Sequence, residues 1–363
     1  MPAEYRASRA EPAVFRRFPG LASRIPHHSF VPAATPVERV TLPGSLALYV
    51  KRDDRSCPLY GGNKPRKLEF VIGEALARRA RRLVTSGGLG TNHGLATTIL
   101  GRSAGLATTL VLVDQPVTEE VRRSLRLFAC YGAEVVHGRS VRGAVWRGSH
   151  ALARAALRGE RPFLVPTGGS SASGSLGFVS AGLELAEQVA AGELPEPALV
   201  FLPVGSGGSI AGLAVGLRLA GLATRPVGVL VNDILPPSPR SLARQARAVV
   251  RRLRRADPRV PPLDFGASDF ELATGAVGPG YGAATEAALE AQRLAAQAGL
   301  VLDTTYTAKC LAEVLARARA DALPRAPILF WLTFNSIDVA AGAPPFRPEA
   351  LPASLRAIAE GAA

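Results

Sequence analysis

The stretch ALVFLPVGSGGSIAGLAVGLRL occupies residues 198–219. Its first five residues are apolar, and they predict a strand buried on both faces over residues 198–202. Gly205-Ser206-Gly207-Gly208-Ser209 follows, and residues 209–219 then carry helical apolar spacing. A strand, a glycine loop and a helix in that order make a phosphate cradle. Successive backbone N–H groups and the helix dipole converge there on one anion. The loop is not a dinucleotide fingerprint, because the third glycine counted from Gly205 would fall on Ile210. It is not a Walker A loop either, because no Lys follows.

The same unit recurs on both sides. Strands are predicted at residues 46–50, 83–85, 107–113, 133–137, 163–165, 227–231 and 328–332. Between them, helices are predicted at 68–81, 95–104, 118–131, 141–157, 176–190, 241–254, 282–298 and 307–318. Such alternation predicts an α/β protein of open, twisted, mostly parallel sheets flanked by helices. A length of 363 residues suits two domains. Ligands in open α/β sheets bind at the carboxyl ends of strands, so the loops after strands are where chemistry is sought.

Composition narrows the partners. Apolar residues make up 47% of the chain, enough for a large core. No uninterrupted apolar run approaches the ~18 residues of a membrane span. The net charge is +14, yet only four of the 43 basic residues are Lys: Lys51, Lys64, Lys67 and Lys309. The remainder are Arg scattered among Ala, a compositional habit. The run Arg251, Arg252, Arg254 and Arg255 is expected on a solvated helix face. Neither a nucleic acid nor a membrane is therefore expected as a partner. The cysteines, Cys57, Cys130 and Cys310, are odd in number and widely spaced, which points to a reducing compartment. The five His make no zinc pattern with them. Residues 1–34 interleave Arg, Glu, Pro and Phe without a continuous apolar core, and are expected to form a poorly ordered basic extension.

Two further segments carry polar chemistry. Gly61-Gly62-Asn63-Lys64-Pro65-Arg66-Lys67 holds two of the four lysines just before a predicted helix. Lys can lose its proton and condense with a carbonyl, whereas Arg cannot. On composition alone, a basic helix start with two solvated lysines fits equally well. Ser86-Gly87-Gly88-Leu89-Gly90-Thr91-Asn92-His93-Gly94 lies between a strand and a helix. It reads either as an anion-binding nest or as a tight turn with Asn92 capping the helix. A lysine for a carbonyl, a separate phosphate cradle and an α/β scaffold together point to pyridoxal phosphate.

In order along the chain stand KRDD and YGGNKPRKLEF (residues 51–70), SGGLGTNHG, PTGGSSASGSLGF (166–178), GSGGSIAGL, GPGYG (278–282) and LDTTYTAK (302–309). With these motifs the chain resembles the ACC deaminase/D-cysteine desulfhydrase family of pyridoxal-phosphate enzymes, of the tryptophan synthase β-like fold (fold type II). The resemblance spans about residues 35–336. It implies that Lys64 bonds the cofactor's aldehyde carbon and later moves the α-proton. Lys67 would lie near the cofactor phosphate, Asn92 beside its 3′-oxygen, and Gly205, Ser206, Gly207, Gly208 and Ser209 around the phosphate. Thr91 takes the place of the usual nucleophilic or acid/base Ser. Thr91, Asn92 and His93 would hold the substrate carboxylate. Tyr281 and Tyr306 match two active-site tyrosines, and Thr307 and Thr333 stand near the cofactor ring.

The resemblance further implies a small amino-acid substrate, a cytoplasmic homodimer, and two domains. The large cofactor-binding domain would comprise residues 35–67 and 166–363, and the small one residues 68–165. Thr307 and Thr333 follow the desulfhydrase pattern rather than the Glu and Leu of ACC deaminases. This favours β-elimination from D-cysteine or a similar amino acid, giving pyruvate, ammonia and sulfide. The alternatives are an ACC deaminase, or a cofactor-binding relative with another substrate or none. Gly90, Leu95, Phe334 and Asn335 depart from the family pattern and bear on that choice.

Overall fold

The structure, a computed structural model, describes residues 11–361. Its strands are β1 (Val37–Thr41), β2 (Ala47–Lys51), β3 (Arg82–Gly88), β4 (Ala107–Val113), β5 (Glu134–Arg139), β6 (Pro162–Leu164), β7 (Leu199–Val204), β8 (Arg225–Leu230), β9 (Glu271–Ala273) and β10 (Ile328–Trp331). Six of them form one sheet in the order β1-β2-β10-β7-β8-β9, and four form a second in the order β5-β4-β3-β6. Only the β1–β2 pair is antiparallel; every other pairing is parallel. At the centre of the large sheet Phe330 stands opposite Val50 on one side and Phe201 on the other. All six residues of β7 are buried, as an apolar central strand covered on both faces must be.

Helices Leu176–Ala190, Gly208–Ala220 and Pro239–Ala256 enclose one core cluster of the large sheet. Helices Glu286–Gln297 and Thr307–Arg319 enclose another. The small sheet has its own core. Arg251, Arg254 and Arg255 lie exposed on the outer face of Pro239–Ala256, as a solvated face. No helix among the described residues is long and apolar enough to cross a membrane.

Three expectations need correction. First, the chain near its start is packed. Within residues 11–34, Val14, Phe15, Phe18, Leu21 and Ile25 are buried in the large-sheet core. Phe15 meets Phe70 edge-on at 5.8 Å. These apolar residues are spaced among arginines, so no continuous pattern betrays them. Residues 1–10 lie outside the described residues. Second, residues 166–363 do not all side with the large sheet. Val339, Leu351, Leu355 and Ala359 join the small-sheet core. Helix Ala353–Glu360 docks on Glu119–Cys130, where Arg122 donates to the Ile358 carbonyl (2.7 Å) and Arg126 to the Ala359 carbonyl (2.9 Å). Third, the helix expected over 68–81 spans Asn63–Ala77. The lysine segment is its first turn, hidden from apolar periodicity by Asn63, Lys64 and Arg66.

That helix is held by a buried ionic network. Arg66 donates to both oxygens of Asp53 (2.8 and 2.9 Å) and to both of Glu184 (2.9 Å each). Lys51 donates to Glu184 (2.6 Å) and to the Thr35 carbonyl (2.7 Å). The Trp331 indole donates to Asp53 at 2.7 Å. Burial alone would raise the Glu184 carboxyl, but Arg66 and Lys51 hold it down at about 2.

Two outcomes are expected. Phe15→Ala should destabilise the fold by about 3–5 kcal/mol, the cost of emptying a buried aromatic site. Glu184→Ala should cost about 3–5 kcal/mol by stranding two buried cations. Equilibrium denaturation measures both; a change below about 1 kcal/mol would refute the respective packing.

Candidate active site

Where β7 ends, the chain turns through Gly205–Ser209 into helix Gly208–Ala220. Gly207 sits at φ +86° in the left-handed region that disfavours side chains. A Cβ on Gly208 would lie 2.5 Å from Ser170 Oγ and 3.1 Å from Lys67 Nζ. Ser170 Oγ accepts from Gly208 N–H (3.2 Å) and from Lys67 Nζ (2.9 Å), and bonds Ser206 Oγ at 2.6 Å. Lys67 also donates to the Gly168 carbonyl. The loop, one lysine and two serines therefore form a single donor-rich cradle.

Lys64 lies three residues before Lys67, about one turn earlier in the same helix. The helix start is pinned from below. Gly62, at φ +82°, caps it, and Asn63 N–H donates to the Thr333 carbonyl at 3.1 Å. Asn335 Oδ1 accepts from Gly61 N–H at 2.7 Å and from Ile337 N–H at 3.0 Å. Asn335 is thus a clamp on the lysine turn, and Phe334 beside it lines the cavity. Lys64 Nζ donates to Asn63 Oδ1 (2.7 Å), and Asn63 Nδ2 reaches Ser209 Oγ (3.3 Å). One amide therefore links the Lys64 amine to the phosphate loop. Burial lowers the Lys64 pKa to about 8, against the opposing pull of Asp303.

Past β3 the chain turns into helix Asn92–Ser103, capped by Thr91 rather than by Asn92. Thr91 Oγ1 accepts from Gly94 N–H at 3.2 Å. Helical bonding begins with Leu95 N–H to the Thr91 carbonyl (3.1 Å), so the N–H groups of Asn92 and His93 head the helix as an anion nest. Thr85 donates to the Val165 carbonyl (2.9 Å) and sits 3.0 Å from His93 Nε2. That accounting assigns the proton to Nε2 and leaves Nδ1 an acceptor, buried and without a partner among the described residues. Burial, then Lys64 and Lys67, push the His93 pKa well down, so it is neutral.

Tyr281 and Tyr306 meet hydroxyl to hydroxyl at 2.6 Å. Burial raises both phenols, so both keep their protons at neutral pH. Asp303 lines the same cavity and was not foreseen. It accepts from Tyr306 N–H (2.8 Å), Thr307 N–H (3.0 Å) and the Thr307 hydroxyl (2.6 Å). Thr307 is fully buried, lies outside the cavity lining, and positions Asp303. Thr333 does line the cavity. Tyr60, which donates to the Asn92 carbonyl at 3.2 Å, is a second unforeseen wall residue. Every other residue expected at the site borders this one cavity of about 580 Å3.

A lysine amine, a glycine cradle and a carboxylate nest now stand around one space, and comparison with known proteins agrees with them. A family model described as pyridoxal-phosphate dependent enzyme matches residues 29–333. The chain belongs to that family. It is 32% identical to the D-cysteine desulfhydrases of Salmonella typhimurium and Serratia proteamaculans over 302 residues, 81% of this chain and 88% of each relative. The crystal structure of an ACC deaminase homologue superposes with a TM-score of 0.73 at 25% identity, covering 90% of this chain and 96% of that one. A threonine deaminase structure shares the fold, with a TM-score of 0.58 at 20% identity, covering 90% of this chain and 98% of that one.

The residues of this pyridoxal-phosphate enzyme fit its cofactor. Lys67 is desolvated beside Lys64, and both effects push its pKa well down. A phosphate on the glycine loop is the counter-charge that such an amine requires. If Lys64 captures the cofactor aldehyde as a free amine, capture by apoprotein should quicken about tenfold per pH unit below pH 8 and level off above it. Asp303→Asn should move that midpoint down, since the lost carboxylate no longer favours the ammonium. Stopped-flow absorbance reads the rate; a midpoint unmoved or raised would remove Asp303 from the site's electrostatics.

Proposed function

We propose that this enzyme eliminates the β-substituent of a small amino acid, with D-cysteine or a similar β-substituted amino acid as substrate. The products are pyruvate, ammonia and, from cysteine, sulfide. The observation that carries this reading is the Lys64 amine and the Tyr281–Tyr306 hydroxyl pair sharing one cavity with a carboxylate nest. Lys64, Lys67, Ser170, Ser206 and the Gly205–Ser209 loop would hold the cofactor. Pyridoxal phosphate, once bound, supplies an electron sink for the pair left when the α-proton departs.

The chain's own groups do the rest. Asn92 and His93 N–H groups and the Thr91 hydroxyl orient the substrate carboxylate. His93 is neutral and does not compete for it. Lys64 Nζ, with a pKa lowered to about 8, takes the α-proton near neutral pH. The tyrosine pair, protonated at neutral pH, supplies a proton to the departing sulfur, and water then completes the release of pyruvate and ammonia. We read the two sheets as two domains whose approach excludes water from the cavity. The free, buried thiols of Cys57 and Cys310 suit a reducing cytoplasm, and the resemblance favours a homodimer, which light scattering would test.

The test is a panel of D- and L-cysteine, D-serine, cysteate and ACC given to the holoenzyme. Sulfide with pyruvate is expected from cysteine, and 2-oxobutyrate from ACC would assign ring-opening deamination instead. Lys64→Ala should lose both the visible absorbance of bound cofactor and all turnover; retained absorbance would displace Lys64 as the tether. Tyr281→Phe should lower kcat roughly 10²-fold or more, the scale of a lost proton-transfer group.

A further inference from the structure

Two glycines beside the carboxylate nest are glycines for a reason outside their own backbone. Gly88 ends β3 and Gly90 precedes Thr91. Neither takes the positive φ that favours glycine, in contrast to Gly282 at +81°. What stands in the way of a side chain at Gly88 is Gln115, two residues past the end of β4. A Cβ on Gly88 would overlap Gln115 Oε1, whereas its contact with the Tyr281 ring, at 3.5 Å, would be ordinary. A Cβ on Gly90 would lie 3.0 Å from Val121 Cγ2 and 3.4 Å from Gln115 Nε2. The same amide reaches the tyrosine loop, since a Cβ on Gly282 would lie 3.6 Å from Nε2. Gln115 Oε1 also accepts from Gly90 N–H at 3.1 Å. One amide therefore stands against both glycines of the nest loop and against the loop that carries Tyr281.

We infer that Gln115 is a positioning residue for the carboxylate nest. This rests on the reading of Thr91, Asn92 and His93 as the seat of a substrate carboxylate. Gln115 does not border the cavity, whereas Gly88, Thr91 and Asn92 do, so its amide acts through the loop. A turn rich in glycine has few side chains with which to hold its own shape, and it loses more freedom on ordering than other residues do. The bond to Gly90 N–H fixes the chain one residue before Thr91. Thr91 N–H then donates to the Gly88 carbonyl at 3.0 Å, and the Thr91 hydroxyl caps the helix whose first N–H groups form the nest. Leu89 N–H, bonded to the Val113 carbonyl at 3.1 Å, ties the same turn to the end of β4 from which Gln115 follows. Without the amide the turn keeps these backbone bonds and loses the side-chain bond that holds it. Part of a ligand's binding free energy then goes into ordering the nest, and its affinity falls.

The test is a spectral titration of holoenzyme with D- and L-alanine, which carry the amino-acid carboxylate but no β-leaving group, so that binding is read apart from elimination. Gln115→Leu keeps bulk and removes the acceptor. It should raise the Kd of the enantiomer that binds by about three- to tenfold, the scale of one lost hydrogen bond, and leave the affinity of apoprotein for pyridoxal phosphate unchanged. A merely structural role would lower the denaturation midpoint without that split. Gly88→Ala should raise the alanine Kd by itself, because its methyl displaces the amide. In a Gln115→Ala background the same methyl has nothing to displace, so Gly88→Ala should add little there. An alanine Kd unmoved by Gln115→Leu overturns the inference, and so do fully additive effects of the Gly88 and Gln115 substitutions. If neither alanine perturbs the spectrum of the unsubstituted holoenzyme, the reading of the nest fails and takes this inference with it.

Discussion

The site depends on one buried cation, the Arg66 guanidinium. It lies between Lys64 and Lys67 in sequence but points away from the cavity, into Asp53 and Glu184. Those two carboxylates come from the segment after β2 and from helix Leu176–Ala190. Trp331 of β10 and Lys51 of β2 close the ring. A planar fork with five donors can satisfy two carboxylates at once, which a Lys cannot. Such a network fixes the rotation of the Asn63–Ala77 helix about its axis. Once Arg66 is fixed on one side, Lys64 and Lys67 have one direction left, toward the glycine loop. The cost of desolvating these charges is offset only by complete pairing, so the network acts as a registration device more than as a source of stability.

Why four lysines survive in a chain that otherwise uses Arg becomes plain from their partners. Lys51 is packed against the Thr35 carbonyl, Glu184 and Gln188. Lys67 sits among the Gly168 carbonyl and Ser170. Lys309 donates to the carbonyls of Val277 (2.6 Å) and Gly280 (3.3 Å). Each of these is a small oxygen cage that admits a compact ammonium and excludes a guanidinium. Lys309 also steadies the tyrosine pair. The peptide joining Gly280 to Tyr281 is gripped at both ends, its oxygen by Lys309 and its N–H by Asp233 at 2.8 Å. Lys64 has no such cage: among the described residues its amine meets only the Asn63 side-chain oxygen, which suits the proton-moving role proposed for it.

Much of this was legible in the residues because the signals were local. β7, its loop and its helix read as one unit, since a continuous apolar run, a glycine cluster and a helical period abut. β1 escaped because VERVT is half exposed and mostly polar, and β9 is only three residues long. The lysine helix started a turn early because its first residues face polar partners instead of a core. Thr307 is a different matter. Likeness puts its hydroxyl near the cofactor ring, and the bond it makes in the structure is to Asp303 four residues back. A side chain's direction at a helix start is set by the capping it performs, and no sequence spacing records it. The buried residues of the N-terminal segment were missed because burial there is decided by the groove they fill, not by their neighbours in the chain.

Placing two lysines in the first turn of a helix runs against the usual preference for acidic groups at that end. Burial disfavours both ammonium forms, and for Lys67 the neighbouring Lys64 adds to it. Lys67 faces the cradle, where a bound phosphate would restore its charge and turn the unfavourable position into an ion pair. Lys64 faces Asp303, whose single carboxylate offsets part of the burial and stops the pKa near 8 instead of letting it fall further. In the reading proposed above, two identical side chains three residues apart take different roles, one as a cation for the phosphate and one as a base, through what stands opposite each. Thr307 anchors that carboxylate with its hydroxyl and its N–H.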